Sequence, residues 1–276
     1  MSLRSAAATI AALSFFALAA APAQSAEFID AAGRRVVLPD RIARVMPAEE
    51  AAAVLVFVLA PEKLAGWSRP APPGYLPRRF ARRPVLGPLV SANPAIAIAA
   101  IRRVRPDIVI DAGRATPDRA AFADFVQRQT GVAYVIADDS FARMPGMLRS
   151  IGAVLGVADR AEDLALYAEH AIAALRGLLL IRPTDARPRL YYGRRPDGLE
   201  TVLPGSPHGE AINEAGTLNV AAPLGRDTDV VVTRERLLGW DPEIIIAEHP
   251  SFYNALHRSR AWRVLSAVRR KRVYLA

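Results

Sequence analysis

Between Tyr191 and Gly216 the chain reads YYGRRPDGLETVLPGSPHGEAINEAG, setting two tyrosines, two adjacent arginines, several glycines and a histidine between apolar segments. Guanidinium groups present fixed forks of donors suited to carboxylates, catecholates or oxyanions, and a tyrosine adds a flat apolar face with one polar tip. Tyr191, Tyr192, Arg194 and Arg195 carry groups of that chemistry. Gly198 and Gly205 permit tight turns, and the amides opening a helix near His208 favour an anion. A second polar stretch, GWSRPAPPGYLPRRF, supplies Trp67, Arg69, Tyr75 and Arg78 on a loop that its prolines stiffen, which lowers the entropy lost when it orders around a ligand. Trp67 reads equally as a core residue at a strand end, and Arg194 and Arg195 read also as solvated loop charges.

Nucleophilic and metal chemistry have weaker footing. Ser206 and His208 in GSPHG lack the G-x-S-x-G spacing of a nucleophile elbow. His170, His208, His249 and His257 form no H-x-H or H-E-x-x-H pattern, and a hydrated cation enters more readily as a chelate than by being stripped by scattered imidazoles. His249 ends a strand in AEHPSF, at a place suited to a ligand contact. No catalytic residue, metal site or resident cofactor is expected from these patterns. A hydrolase or a direct metal binder on the same fold is the alternative.

The elements that must hold these residues alternate. EFIDAAGRRVVLP has period-two apolar residues on either side of Gly33 and predicts a hairpin. The runs AAAVLVFVLAP, AIAIAAIRRV, DRAAFADFVQRQTG and MPGMLRSIGAVLG have helical length, while DIVID and AYVI have the pattern of buried strands. Asn93 in SANPAI stands where a helix N-cap belongs. From Asp159 the pattern changes to one long amphipathic helix with Asp159 as N-cap, Glu162 three positions on, and apolar residues at Leu164, Tyr167, Ala171, Leu175 and Leu178, stopped by Pro183. Roughly 22 helical residues span ~33 Å, a length suited to bridging two lobes. A second alternating series follows, and RPDIVI near Ile108 is echoed by DPEIIIA near Ile244, as expected of two lobes built alike. The pattern predicts an α/β fold.

Export is legible at the start of the chain. Arg4 precedes SAAATIAALSFFALAAAPA, and small residues follow at Ala21, Ala23 and Ala26, the order of a secretory signal peptide. The chain has no cysteine, so the fold is expected to need no disulfide and to carry no lipid-modified cysteine after the signal. A freely soluble, monomeric periplasmic protein is the expectation. The formal charge of +9 arises from arginine pairs scattered along the chain, such as Arg34-Arg35, Arg82-Arg83 and Arg102-Arg103, without any helix-turn-helix, zinc-finger or aromatic-basic stacking pattern, and no nucleic-acid partner is expected.

Taken in order, DAAGRRVVLPDRIARV, LAPEKLAGW, NPAIAIAAIRRVRPDIVID, YYGRRPDGLETVLPGS, EAINEAGTLNVA and LLGWDPEIIIAEHPSF resemble the periplasmic substrate-binding proteins of ABC importers for metal chelates, of the iron-siderophore, haem and cobalamin type, with a branch associated with molybdate and tungstate. The resemblance runs from about Glu27 to the last residue. It implies two α/β lobes joined by a single long interdomain helix, the class III periplasmic binding protein fold: a signal peptide at 1–26, an N-terminal lobe at 27–157, the connecting helix at 158–183 and a C-terminal lobe at 184–276. A stiff single connector implies a small closure on binding. The family continues past RVYLA into a C-terminal helix, so the second lobe is expected to lack it.

The same resemblance implies roles. Ligand would lie in the cleft between the lobes, against Trp67, Arg69 and Tyr75 on one side and Tyr191, Tyr192, Arg194, Arg195 and His249 on the other. One acidic residue on each lobe would dock onto arginines of the inner-membrane permease: Glu49 or Glu50 in the first, Glu210 in the second. The cleft cations imply a small anionic ligand, most readily an iron-siderophore-like metal chelate, or an oxyanion.

Overall fold

The computed structural model describes residues 26–71, 74, 76–180, 187–225 and 229–276. The expected signal peptide, apart from Ala26, lies outside the described residues, as do Tyr75 and the last residues of the expected connector.

The chain opens with a hairpin, β1 (Glu27–Ile29) paired antiparallel with β2 (Arg35–Val37) around Gly33, whose φ of 75° is the left-handed turn geometry the sequence predicts. β3 (Val45–Pro47), α1 (Glu50–Leu59), the short α2 (Arg78–Ala81), α3 (Pro94–Val104), β4 (Ile108–Ala112), α4 (Pro117–Thr130), β5 (Ala133–Ala137) and α5 (Met144–Leu155) complete the first lobe. Its sheet is parallel, in the order β3-β4-β5. Helices cover both faces, as an all-parallel sheet requires. Ile108 and Ile110 join Val56, Leu59, Leu148 and Ile151 on one side, while Val109 joins Ala97, Ile101, Ala123 and Val126 on the other. Asn93 caps α3 by accepting the Ala95 N–H at 2.9 Å, as its sequence position predicts.

α6 (Ala158–Leu180) is the long helix. Its start differs in detail from the expected capping box: Asp159 lies inside the first turn, and Glu162 reaches Arg149 of α5 at 2.7 Å instead of folding back. α6 packs on α5 so closely that a Cβ on Gly152 would fall 2.0 Å from the Ala161 Cβ, and farther along a Cβ on Gly216 would fall 2.0 Å from Leu179. One helix therefore touches both lobes.

The second lobe follows: β6 (Arg189–Arg194), β7 (Glu200–Thr201), α7 (Pro207–Glu214), β8 (Leu218–Asn219), β9 (Val230–Val231), α8 (Arg234–Trp240), β10 (Ile244–Ala247), α9 (Pro250–Arg258), α10 (Ser266–Arg269) and β11 (Val273–Leu275). The sheet order is β11-β10-β6-β7-β9, with β8 also on β6, and β11, β10, β6 and β8 run parallel. The fold is two α/β lobes joined through α6. No helix among the described residues is long and apolar enough to cross a membrane.

Candidate functional site

In open α/β sheets ligands bind beyond the carboxyl ends of the parallel strands. Here the first-lobe strand ends meet the start of a second-lobe helix. Arg114, just past β4, is ion-paired with Glu210 of α7, and the Phe141 N–H, just past β5, donates to the other Glu210 oxygen at 2.9 Å. The two lobes thus face one another across the ends of β4 and β5.

The first-lobe wall is built on Asp111. It is the fourth residue of β4 and fully buried, and its Oδ1 accepts from Arg119 Nη1 at 2.8 Å while Oδ2 accepts from the Tyr134 hydroxyl at 3.2 Å. Burial pushes the Asp111 carboxyl up to about 6, against the opposing pull of Arg119 and the Tyr134 hydroxyl. Arg119 sits in the first turn of α4, where Thr116 caps the helix and Pro117 begins it. Its side chain passes over Gly113: a Cβ there would lie 1.7 Å from Nη1. The Asp111 bond is the only side-chain hydrogen bond of Arg119 among the described residues, so the rest of the guanidinium remains free to bind. Asp139, after β5, has its carboxyl raised by burial and its Oδ1 buried with no partner among the described residues, and both Arg119 and Arg114 lie near enough to pull against that rise.

The second-lobe wall differs from the sequence expectation. Arg194 does reach the strand end, but it is surrounded by acids: Glu248 at 2.8 Å, Glu200 at 3.5 Å, and Asp229. Arg195, in the left-handed region with φ of 63°, is paired with Glu200. The cationic charge assigned to this loop is therefore neutralised within its own lobe. Tyr191 is a correction: it is wholly buried, its hydroxyl donates to the Gly198 carbonyl at 2.7 Å, and it packs against Trp240. Neighbouring strand residues point to opposite faces, and Tyr191 points into the α8–α9 side. Tyr192 points the other way and meets the His208 ring at 5.3 Å, with its hydroxyl raised first by burial and then by Glu248. His249 serves as the N-cap of α9, with Nδ1 accepting the Ser251 N–H at 3.1 Å.

In the first lobe Trp67 is a core residue. Its indole N–H donates to the Phe80 carbonyl at 2.9 Å, and its ring packs on Phe57. Arg69 is exposed and 3.7 Å from Glu50. Glu49 holds the Ser91 N–H at 3.1 Å, while Glu50 is exposed in the first turn of α1. Glu210, expected to face a permease, is turned inward onto Arg114 and Phe141 because the first turn of α7 opens toward the first lobe. Of the expected contacts among the described residues, Tyr192, Arg194, Arg195 and His249 lie at or just past the carboxyl ends of the paired strands β6 and β10.

Sequence reasoning missed Asp111, Arg114, Arg119, Tyr134 and Asp139. A signal was present: DIVIDAGR places an acid at the end of an apolar strand, then Gly and Arg, and a buried acid demands a partner. A separate groove of about 610 Å³ lies between β1, α5 and α6, with Phe28, Met147 and Ile172 in its wall. Its wall is mixed, with Asp30, Asp138, Arg143, Glu169 and Arg176 beside the apolar residues, and it opens along the connector α6 on one lobe, whereas the charged groups past β4 and β5 face the second lobe. Among the described residues no three His, Cys, Asp or Glu side chains form a metal-holding group.

Comparison with known proteins agrees with the two-lobed fold. A family model described as periplasmic binding protein matches residues 87–276. A solute-binding protein of an ABC transporter from Sulfurospirillum deleyianum is 26% identical with a TM-score of 0.77, over 91% of this chain and 80% of that one. The molybdate-bound periplasmic protein MolA of Haemophilus influenzae is 20% identical with a TM-score of 0.74, over 91% and 82%. The vitamin B12 binding protein BtuF of Vibrio cholerae is 19% identical with a TM-score of 0.67, over 85% and 87%. No curated protein sequence matches the chain.

Proposed function

Because the chain belongs to the periplasmic binding protein family, as solute-binding proteins of ABC importers do, we propose that it captures an anionic solute between its lobes and delivers it to an inner-membrane permease. The observation that carries the anionic reading is Arg119. A buried carboxylate fixes one edge of its guanidinium and leaves the other edge free at the end of β4. A donor fork held in place before the ligand arrives loses little entropy on binding. Arg114 adds a second cation on the same wall.

Two anion classes fit that chemistry. An iron-siderophore-like chelate presents carboxylate or catecholate oxygens, and a simple oxyanion presents them on a compact centre. The MolA structure with molybdate is a precedent for the compact class on this fold. The permease contact falls to exposed acids such as Glu50.

A thermal-shift screen against ferric siderophores, haem, cobalamin, molybdate, tungstate and nickel-histidine tests the reading. A ligand at ~100 times its Kd adds ~2.7 kcal/mol to stability. An anion should raise the midpoint of the wild type and fail to do so for Arg119→Ala. A shift produced only by a neutral or cationic compound defeats the anionic reading.

A further inference from the structure

Glu210 and Arg114 stand 96 residues apart in sequence and belong to different lobes. Both Glu210 oxygens are engaged, one by the guanidinium and the other by the Phe141 N–H at 2.9 Å. The side chain is only 22% exposed, and it comes from α7, a helix capped by Ser206 and backed by the second-lobe sheet. A carboxylate with both oxygens on first-lobe donors is placed as the oxygen edge of a bound anion would be. An incoming anion must compete with Glu210 there: the single Phe141 N–H is already given to it, and its charge beside Arg114 repels a second negative charge.

We propose that Glu210 is a built-in stand-in for the ligand. It occupies the Arg114 and Phe141 donors when the cleft is empty and holds the lobes in contact, and an incoming carboxylate or oxyanion displaces it. The inference rests on the reading of the cleft as an anion site and adds how that site is regulated. The empty protein is latched by its own carboxylate, so apparent affinity is reduced by the fraction of molecules in which Glu210 holds Arg114. Once the anion is in place, the closing contact runs through the ligand and Glu210 swings free. The family resemblance reserves this position for the permease; here the same side chain reports whether the cleft is filled.

The chain has no cysteine, so spin labels on Arg128→Cys and Arg258→Cys, one exposed site in each lobe, read the interlobe distance cleanly. In the full chain without ligand, Glu210→Gln and Arg114→Gln should each broaden that distance distribution, and the exchange Arg114→Glu with Glu210→Arg should narrow it again. Titration with molybdate should show Glu210→Gln binding up to about fivefold tighter than wild type, the scale of a partly exposed ion pair, and Arg114→Gln binding weaker. Unchanged distances in both single variants overturn the latch. Broadened distances with weaker molybdate binding in Glu210→Gln overturn the stand-in, because Glu210 would then assist the ligand. If neither wild type nor any variant binds molybdate or the other anions of the screen, the anion reading and the stand-in fall together, while the distances still decide the latch. Circular dichroism of each variant establishes that it is folded.

Discussion

Asp111 Oδ1 and Arg119 Nη1 lie 2.8 Å apart at the cleft end of β4, the carboxylate wholly buried and the guanidinium side chain one-fifth exposed. Such a pair is a device for orientation more than for stability, because the cost of burying a charge offsets most of the attraction. The carboxyl pushed up to about 6 is the sign of that cost.

The pH dependence follows from the direction of that shift. An unfolded Asp111 titrates near its ordinary 3.8, whereas the folded one takes up a proton near 6. Between those values the folded chain binds the proton and the unfolded chain does not. The contribution of Asp111 to stability therefore improves as pH falls from above 6 to about 4 and is flat below. Its size is on the order of 2–3 kcal/mol. Asp111→Asn removes the penalty: melting at pH 8 should be no lower than wild type, the slope between pH 4 and 6 should shrink, and anion capture should weaken because Arg119 loses its ionic anchor. Calorimetry at pH 8 and pH 5 reads the first two effects, and a large drop in melting temperature at pH 8 contradicts the account.

Gly113→Ala attacks the same pair from the other side. The added Cβ would meet Arg119 Nη1 at 1.7 Å, and the end of a flexible side chain is what must move. Arg119 swings away, and Asp111 is left buried without its counter-ion. Breaking a buried pair in this way costs ~3 kcal/mol when the remaining group stays charged, and less when it can take a proton. The variant should be clearly destabilised at pH 8 and nearly normal at pH 5, with ligand shifts lost at both. Equal destabilisation at the two pH values would rule out Asp111 as the cause.

The frame of the molecule was legible because local rules produce it. The Gly33 hairpin, the Asn93 cap, the DIVID strand and the long helix from residue 158 each carry their signal within a few turns of chain. The site was less legible because it is made by non-local pairing. Arg194 looks like a free cation until Glu248, 54 residues later, and Asp229, 35 residues later, are folded against it. Tyr191 and Tyr192 are the same residue type side by side, and only the covering of each sheet face decides that Tyr191 joins the core. Arg114 and Arg119 sit among many arginines, and nothing in their immediate neighbours separates them from solvated charges except the acid at the end of the apolar strand.

Arg194 is predicted to matter for the second lobe's stability more than for ligand capture. Its guanidinium is shared among Glu248, Asp229 and Glu200, and Arg194→Ala leaves three carboxylates together. The loss should be ~1 kcal/mol near neutral pH, shrinking at low pH as the acids protonate. Denaturant melts at pH 7.5 and pH 4 measure it. A loss of anion binding as complete as that of Arg119→Ala, without a loss of stability, would return Arg194 to the ligand site.

Two glycines should respond to alanine with opposite sign. Gly198 holds φ of +70° in the turn after Arg195, and a Cβ there would strike the Phe252 ring at 2.2 Å, in the middle of the second-lobe core. The ring cannot yield, since it packs edge-on against Trp262 at 5.9 Å. Left-handed strain and overpacking together should cost about 2–4 kcal/mol in Gly198→Ala. Gly177 lies exposed within α6, with ordinary backbone and nothing within 4 Å of the added atom. There alanine only removes the freedom of the unfolded chain and should stabilise by about 0.5–1 kcal/mol. Because α6 touches both lobes, that gain should come without change in the interlobe distance or in ligand shift, which the same spin labels and thermal screen record. A destabilised Gly177→Ala would mean that the connector depends on a bend at that glycine.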